Sequence, residues 1–143
     1  MIGWGDWRGR TGVLGALLLL SATAGAAGTA KLSALSRLEA GMWQLRDLDD
    51  RNGGRQSVCI PDPILLMQFR HRNAPCSRLV VADGDRAATV HYTCQTNGFG
   101  QTALRVETPQ LVQIDTQGIL DNRPFALRAE ARRLGPCQST ARR

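Results

Sequence analysis

The chain contains few of the residues from which metal centres and active sites are built. Among its 143 residues are two histidines and four cysteines, and none of them shows the CxxC or HxxxH spacing of a zinc site. No serine lies in a GxSxG or SxxK motif. We therefore predict no catalytic residue, no metal site and no cofactor, and we expect His71 and His91 at or near the surface.

Aspartates beside predicted turns are interpreted as solvated turn residues: Asp47, Asp49, Asp50, Asp83 and Asp85.

Aromatic residues make up only 5% of the chain, which argues against a nucleic-acid-binding protein. Such binding needs a basic surface interleaved with aromatic rings on which bases stack. The formal net charge of +6 is interpreted first as a solvated basic surface. The alternative is a surface that attracts anionic lipid head groups or a polyanionic glycan. Arg70, Arg72 and Arg78, which cluster near a predicted short helix, are the candidate anion-binding residues.

The only long apolar run lies at the N-terminus. The weakly positive Met1–Arg10 is followed by the apolar Val13–Leu20 and by the small residues of Ala22–Ala30, an order typical of a secretory signal peptide. We predict cleavage after Ala26 and export to the periplasm, with no membrane-spanning segment in the mature chain. The alternative is a retained anchor, because the uncharged run from 11 to 30 has about the 20 residues that a membrane helix needs.

All four cysteines, Cys59, Cys76, Cys94 and Cys137, follow the predicted cleavage site. An even number of cysteines after an export signal predicts two disulfides rather than free thiols. Three pairings are open. We prefer Cys59–Cys76 with Cys94–Cys137, because each bridge would then close one structural unit, and each would contribute about 3–4 kcal/mol by restricting the unfolded chain.

Apolar residues that alternate with polar ones predict short antiparallel strands. In Arg86–Cys94, the residues Ala88, Val90, Tyr92 and Cys94 share one face, as in a half-buried strand. Asp83-Gly84 predicts a hairpin with the preceding strand. Turns are predicted at 49–55, 97–100, 117–118 and 121–124. The predicted strands are Gly41–Leu48, Gln56–Ile60, Arg78–Ala82, Arg86–Cys94, Thr102–Glu107, Leu111–Thr116 and Phe125–Arg133.

One short helix is predicted among these strands. Asp62 is placed to cap its free amides and Pro63 suits its first position, and the helix should end by about Phe69. The fold class is therefore α+β and mostly antiparallel β, a curved meander sheet or partly open barrel with two disulfides. The predicted organisation is a signal peptide at 1–26, a lead-in segment or short helix at 27–37, one domain at 38–137 and a frayed tail at 138–143.

A curved sheet of this kind has either a filled core or a pocket for a small apolar ligand. The same apolar side chains would serve for both, and a chain this short has few to spare. We therefore assign most of them to the core: Met42, Leu79, Val81, Val90, Tyr92, Leu104, Val106, Val112, Ile114, Phe125 and Leu127.

Several short motifs occur in a recognisable order along the chain: Gly41-Met42-Trp43, SVCIPD around Cys59, APCS around Cys76, Cys94 at the end of a strand, and EARRLGPC ending at Cys137. Together they resemble the bacterial exported family catalogued as domain of unknown function number 3617, over residues 38 to 137. The resemblance implies a periplasmic or otherwise exported protein of Gram-negative bacteria, with disulfides and a mostly β fold. It implies no biochemical activity. Gln44 stands where an acidic residue commonly follows the tryptophan, and Arg133 where an aromatic residue is common.

The sequence thus predicts an exported, non-enzymatic domain that binds a partner, either another envelope protein or an anionic surface. Two alternatives stay open. One is an envelope enzyme that uses an aspartate or histidine on the open face of the sheet. The other is an anionic lipid or glycan binder that uses Arg70, Arg72 and Arg78.

Overall fold

The structure is a computed structural model that describes residues 31 to 138. The predicted signal peptide with its cleavage site, and the predicted tail beyond residue 138, lie outside the described residues. Within residues 31–138, no helix is both long enough and apolar enough to cross a membrane.

Seven antiparallel strands form one open sheet with the order β2-β1-β7-β6-β5-β4-β3. Strands β3 to β7 follow one another as a meander, and the N-terminal hairpin joins the sheet where β1 pairs with β7. This confirms the predicted mostly antiparallel sheet. The strands are β1 (Gly41–Asp47), β2 (Arg55–Ile60), β3 (Cys76–Asp83), β4 (Ala87–Cys94), β5 (Gly98–Thr108), β6 (Leu111–Leu120) and β7 (Arg123–Gly135).

The turn predicted at 97–100 lies earlier, at 95–97, because Gly98 begins β5 and Gly100 lies inside it. The turn predicted at 117–118 is wrong, because both residues lie inside β6. Gly100 and Gly118 are opposite each other in the sheet. A Cβ on Gly100 would lie 2.5 Å from the Tyr92 hydroxyl oxygen, and one on Gly118 would lie 2.6 Å from the Gly100 Cα. Glycine at these positions therefore permits a close approach within the sheet. The β6–β7 turn lies at Asp121 and Asn122, whose φ angles are 50° and 62°, as a type I′ hairpin requires.

Two 3-10 helices cover the inner face of the sheet: η1 (Ser33–Arg37) and η2 (Pro63–His71). As predicted, η2 begins at Pro63, and the Asp62 carboxylate accepts a hydrogen bond from the Ile64 amide at 3.0 Å. It differs from the prediction in its 3-10 geometry, in a kink at Gln68 and in its end at His71. The first helix, η1, and the residue before it also contribute to the core, through Leu32, Ala34 and Leu35.

The core lies between these helices and the inner face of the sheet. Ala88, Val90, Tyr92 and Cys94 of β4 are all buried, as the alternation in this strand predicts. The expectation that Leu79 and Val81 face the core is wrong, since they are 67% and 58% exposed. Leu79 lies opposite His91 on the outer face of the sheet, and Val81 is the extra residue of a β-bulge between Val80 and Ala82 in β3, an edge strand.

The two disulfides are Cys59–Cys137 and Cys76–Cys94, so the preferred pairing of Cys59 with Cys76 and of Cys94 with Cys137 is wrong. Strand register explains the difference. Cys76 lies directly opposite Cys94 in the β3–β4 hairpin, with their Cα atoms 4.0 Å apart. Cys59 lies opposite Met42 in β1, and Met42 in turn lies opposite Gly135, shortly before Cys137. The second bridge therefore links β2 across β1 to the end of β7.

Candidate functional site

A pocket of about 280 Å³ opens where η2 ends, beside the turn between β4 and β5. Two of the three candidate arginines, Arg70 and Arg72, line it, and we call it the cationic pocket. Its other lining residues are His71, Asn73, Ala74, Pro75, Thr96 and Asn97. Among the ion pairs formed within residues 31–138, none involves Arg70 or Arg72.

Aromatic rings hold both guanidinium groups of the cationic pocket. The Arg70 Cζ lies 5.5 Å from the centroid of the Phe125 ring, and the Arg72 Cζ lies 5.3 Å from that of Phe69. The negative face of an aromatic ring attracts a cation at such distances. Because a ring, unlike a carboxylate, does not neutralise the guanidinium, each arginine keeps its charge and its hydrogen-bond donors for an anion.

The third candidate, Arg78, does not line the pocket and instead supports its wall. Its Nε donates a 2.8 Å hydrogen bond to Oε1 of the buried Gln68. The Gln68 Nε2 in turn donates to the backbone oxygens of His71 and Ala74, each at 3.2 Å. These bonds fix the loop that follows η2, so Arg78 acts on the pocket through Gln68.

His71 forms the inner wall of the pocket and is only 2% exposed, so the expectation of a surface position is wrong. Its Nε2 lies 3.1 Å from the Ile119 backbone oxygen and 3.3 Å from that of Asn97. Carbonyl oxygens only accept hydrogen bonds, so Nε2 carries the proton and Nδ1 accepts from the Tyr92 hydroxyl at 3.2 Å. The cause of the burial is that η2 continues past Phe69 and carries the ring under the β4–β5 turn.

Further buried polar side chains lie in the sheet beyond His71. Tyr92 is one of them, and burial raises the pKa of its phenol. Thr116 and Thr102 share a 2.7 Å hydrogen bond between their hydroxyls, and both are buried. Sequence reasoning did not single out these threonines, although both stand at inward positions of alternating strands. We interpret the hydrogen bonds of His71 as the rigid support of the pocket wall.

His91 lies on the outer face of the sheet, where its ring stacks on Phe99 with centroids 6.2 Å apart. Its cross-strand neighbours are Leu79 and Gln101, and no hydrogen bond of the described residues joins it to a carboxylate. Within the same residues, no group of three or more histidine, cysteine or acidic side chains is arranged to hold a metal ion.

The aspartates at the turns have structural roles. Asp47 and Asp50 accept hydrogen bonds from backbone amides of their own turn, in agreement with the prediction. Asp49 pairs with Arg128, and the side-chain hydrogen bond from that arginine lowers the pKa of Asp49. Asp83 accepts hydrogen bonds from the Ser33 amide at 2.9 Å and the Ala34 amide at 3.4 Å, and the Ser33 bond lowers its pKa. Asp83 therefore attaches η1 to the end of β3.

Comparison with known proteins found no matching family model, no matching curated protein and no matching solved structure.

Proposed function

We propose that this chain is an exported, non-enzymatic binding domain whose cationic pocket takes an anionic group of an envelope component. Export to the periplasm and membership of the exported family named above are parts of this proposal. The N-terminal sequence pattern supports export, and so do the two disulfides, because such bridges persist in oxidising compartments.

The observation that carries the proposal is the state of the two arginines. Arg70 and Arg72 line one pocket, are held on aromatic rings and form no ion pair with a described carboxylate. Guanidinium groups bind phosphate and carboxylate through paired N–H donors. A pocket of about 280 Å³ has room for one such group, and the bonds of Gln68 and His71 hold its walls in place before binding.

Phosphate is the ligand chemistry that we expect. Vesicles containing phosphatidylglycerol and inorganic phosphate separate a lipid from a free source of phosphate, a soluble sulfated glycan tests the alternative anion, and phosphatidylcholine vesicles are the control without net charge. Because screening weakens exposed charge interactions, binding to the anionic probe should fall as salt is raised. Binding to no anionic probe, or binding that is unchanged by salt, would contradict the proposal.

The decisive comparison uses two double variants of equal net charge. Arg70→Gln with Arg72→Gln removes both pocket charges, whereas Arg123→Gln with Arg132→Gln removes two exposed charges of β7. We expect the first pair to weaken binding by about tenfold or more, the loss expected when about 1.4 kcal/mol of charge-assisted hydrogen bonding is removed. The second pair should change it by less than about threefold. Equal losses in both would mean that overall charge, and not the pocket, binds the anion.

A further inference from the structure

The end of the sheet at which the cationic pocket opens also carries apolar side chains on its outer face. Phe99, Ile119 and Pro124 are successive cross-strand partners in β5, β6 and β7. Phe99 is 45% exposed, Pro124 is exposed and Ile119 is partly buried. The Phe99 ring stacks on His91 of the same outer face. We call Phe99, Ile119 and Pro124 the apolar row, and it crosses three neighbouring strands.

The apolar row and the cationic pocket lie on opposite faces of the same end of the sheet. Asn97 lines the pocket, Gly98 begins β5 and Phe99 comes next. A Cβ on Gly98 would lie 3.3 Å from the Nε2 of His71, which forms the inner wall of the pocket. The same nitrogen lies 3.1 Å from the backbone oxygen of Ile119. The two surfaces are therefore separated by little more than the thickness of the sheet.

The segments that form this end are basic. They are the end of η2 with its loop and the two turns, residues 70–75, 95–97 and 121–123. Their charged side chains are Arg70, Arg72, Arg123 and one acidic residue, Asp121. Arg123 shares the inner face of β7 with Phe125, over whose ring the Arg70 guanidinium lies. Guanidinium groups are thus gathered on the inner side of this end, and the apolar row lies on its outer side.

From this juxtaposition we propose that this end of the sheet docks on an anionic lipid bilayer, with a head-group phosphate in the cationic pocket and the apolar row against the acyl chains. The inference rests on the proposed function, because it names the bilayer as the source of the phosphate. Charge complementarity carries the choice of partner. A bilayer surface presents negative phosphates beside hydrocarbon, and interfacial proteins bind it through basic residues next to buried apolar ones. A free phosphate or a soluble polyanion would leave the apolar row without a contact.

Sedimentation with phosphatidylglycerol vesicles tests the docking surface of the mature, oxidised protein. The wild type is compared with Phe99→Ala and with the matched control Leu134→Ala, which removes a 55% exposed apolar side chain near the other end of the sheet. We expect Phe99→Ala to weaken vesicle binding about fivefold or more, equivalent to about 1 kcal/mol, since roughly half of a phenylalanine is left to bury. Leu134→Ala should change vesicle binding by less than about twofold. Binding of inorganic phosphate, measured by calorimetry, should be the same in all three proteins.

The phosphate measurement separates failure of this inference from failure of the proposed function. Phosphate binding that requires Arg70 and Arg72, without any binding to the vesicles, would overturn the docking surface and leave the pocket proposal standing. Vesicle binding that is equally strong without Phe99 would have the same meaning. Binding to neither phosphate nor vesicles would overturn both proposals.

Two tryptophan variants make the test independent of lost stability. Phe99→Trp keeps an aromatic ring in the apolar row, and Leu134→Trp places the same probe near the other end. Trp43, the one tryptophan of residues 31–138, is buried and supplies a constant background. With phosphatidylglycerol vesicles whose acyl chains carry bromine, which quenches tryptophan on contact, the fluorescence of Phe99→Trp should fall and that of Leu134→Trp should not. Unquenched fluorescence of vesicle-bound Phe99→Trp would overturn the proposal.

Discussion

Removal of the Cys59–Cys137 bridge is the perturbation whose effect can be worked out most directly. The bridge closes a loop with a sequence separation of 78 residues. In the chain-entropy account, a loop of this length contributes about 4.5 kcal/mol to the free energy of unfolding. Cys59 is exposed and Cys137 is partly buried, so replacing both with alanine removes little packing. The loss should therefore come almost entirely from greater freedom of the unfolded chain.

Urea unfolding under non-oxidising, non-reducing conditions measures this loss. For Cys59→Ala with Cys137→Ala we expect the free energy of unfolding to fall by about 4.5 kcal/mol, a large part of the 5–15 kcal/mol typical of a domain. The dependence of this free energy on urea should also steepen, because an unfolded chain with one bridge fewer exposes more surface. A loss below about 2 kcal/mol would refute the reasoning from loop length.

A mispaired double variant tests the connectivity itself. Cys59→Ala with Cys76→Ala removes one cysteine from each observed bridge, so Cys94 and Cys137 lose their partners. Thiol titration of this folded variant should find two reactive groups where the variant without Cys59 and Cys137 shows none. The opposite result would restore the pairing that the sequence favours.

Three further outcomes follow from single side chains. His71→Phe should lower the free energy of unfolding by about 1–3 kcal/mol, since it leaves the Tyr92 hydroxyl without its acceptor and the Ile119 carbonyl without its donor. His91→Phe on the outer face should change this free energy by less than about 0.5 kcal/mol, and equal urea midpoints of the two variants would contradict the prediction. Thr116→Val should lower the free energy of unfolding by about 1–2 kcal/mol, because it leaves the Thr102 hydroxyl without its partner in the 2.7 Å bond. Adding Thr102→Val to this variant should cost much less, because both partners are then apolar. Additive losses would argue against a shared bond. Asp83→Asn should destabilise the protein more at about pH 7 than at about pH 3. The pKa of the Asp83 carboxyl is lowered in the folded protein. Its stabilisation is therefore present above about pH 3.9, the ordinary pKa of an aspartate, and is lost as the pH falls. An equal effect at both pH values, measured by urea unfolding, would contradict the role of its charge.

The features that could be predicted from the sequence are those determined locally. The alternation in β4 follows from burial of one face of a strand, and it identifies Ala88, Val90 and Tyr92 as core residues. The start of η2 depends on Asp62 and Pro63, which act within one turn of their own positions. Both predictions hold because no distant part of the chain is needed to decide them.

The features that could not be predicted depend on the register of the strands and on which face of each strand the helices cover. The cysteine pairing requires knowing that β1 lies between β2 and β7, an arrangement of segments far apart in sequence. Periodicity groups the apolar residues Leu79 and Val81, but it shows neither which face of β3 is turned towards the core nor that a β-bulge lies at Val81.

The candidate site has the same limitation. The cluster of arginines was visible in the sequence, and the structure brings Arg70 and Arg72 into one pocket. The separate role of Arg78 and the burial of His71 depend on contacts with Gln68 and with the β4–β5 turn. The position where η2 ends is set by that packing and not by a local stop signal.

The bridge from Cys59 to Cys137 also determines how the molecule responds to mechanical load. A pull applied at the two ends of the chain passes through the covalent bond between these residues, so the segment they enclose bears no tension. That segment has a sequence separation of 78 residues, of which the Cys76–Cys94 bridge holds 18, so it would otherwise lengthen by roughly 200 Å of contour. Between η1 and Cys137, only the portion before Cys59, with η1, β1 and most of β2, can therefore be extended by such a pull. Reduction of this single bond would make the chain extensible except between Cys76 and Cys94, which their own bridge holds.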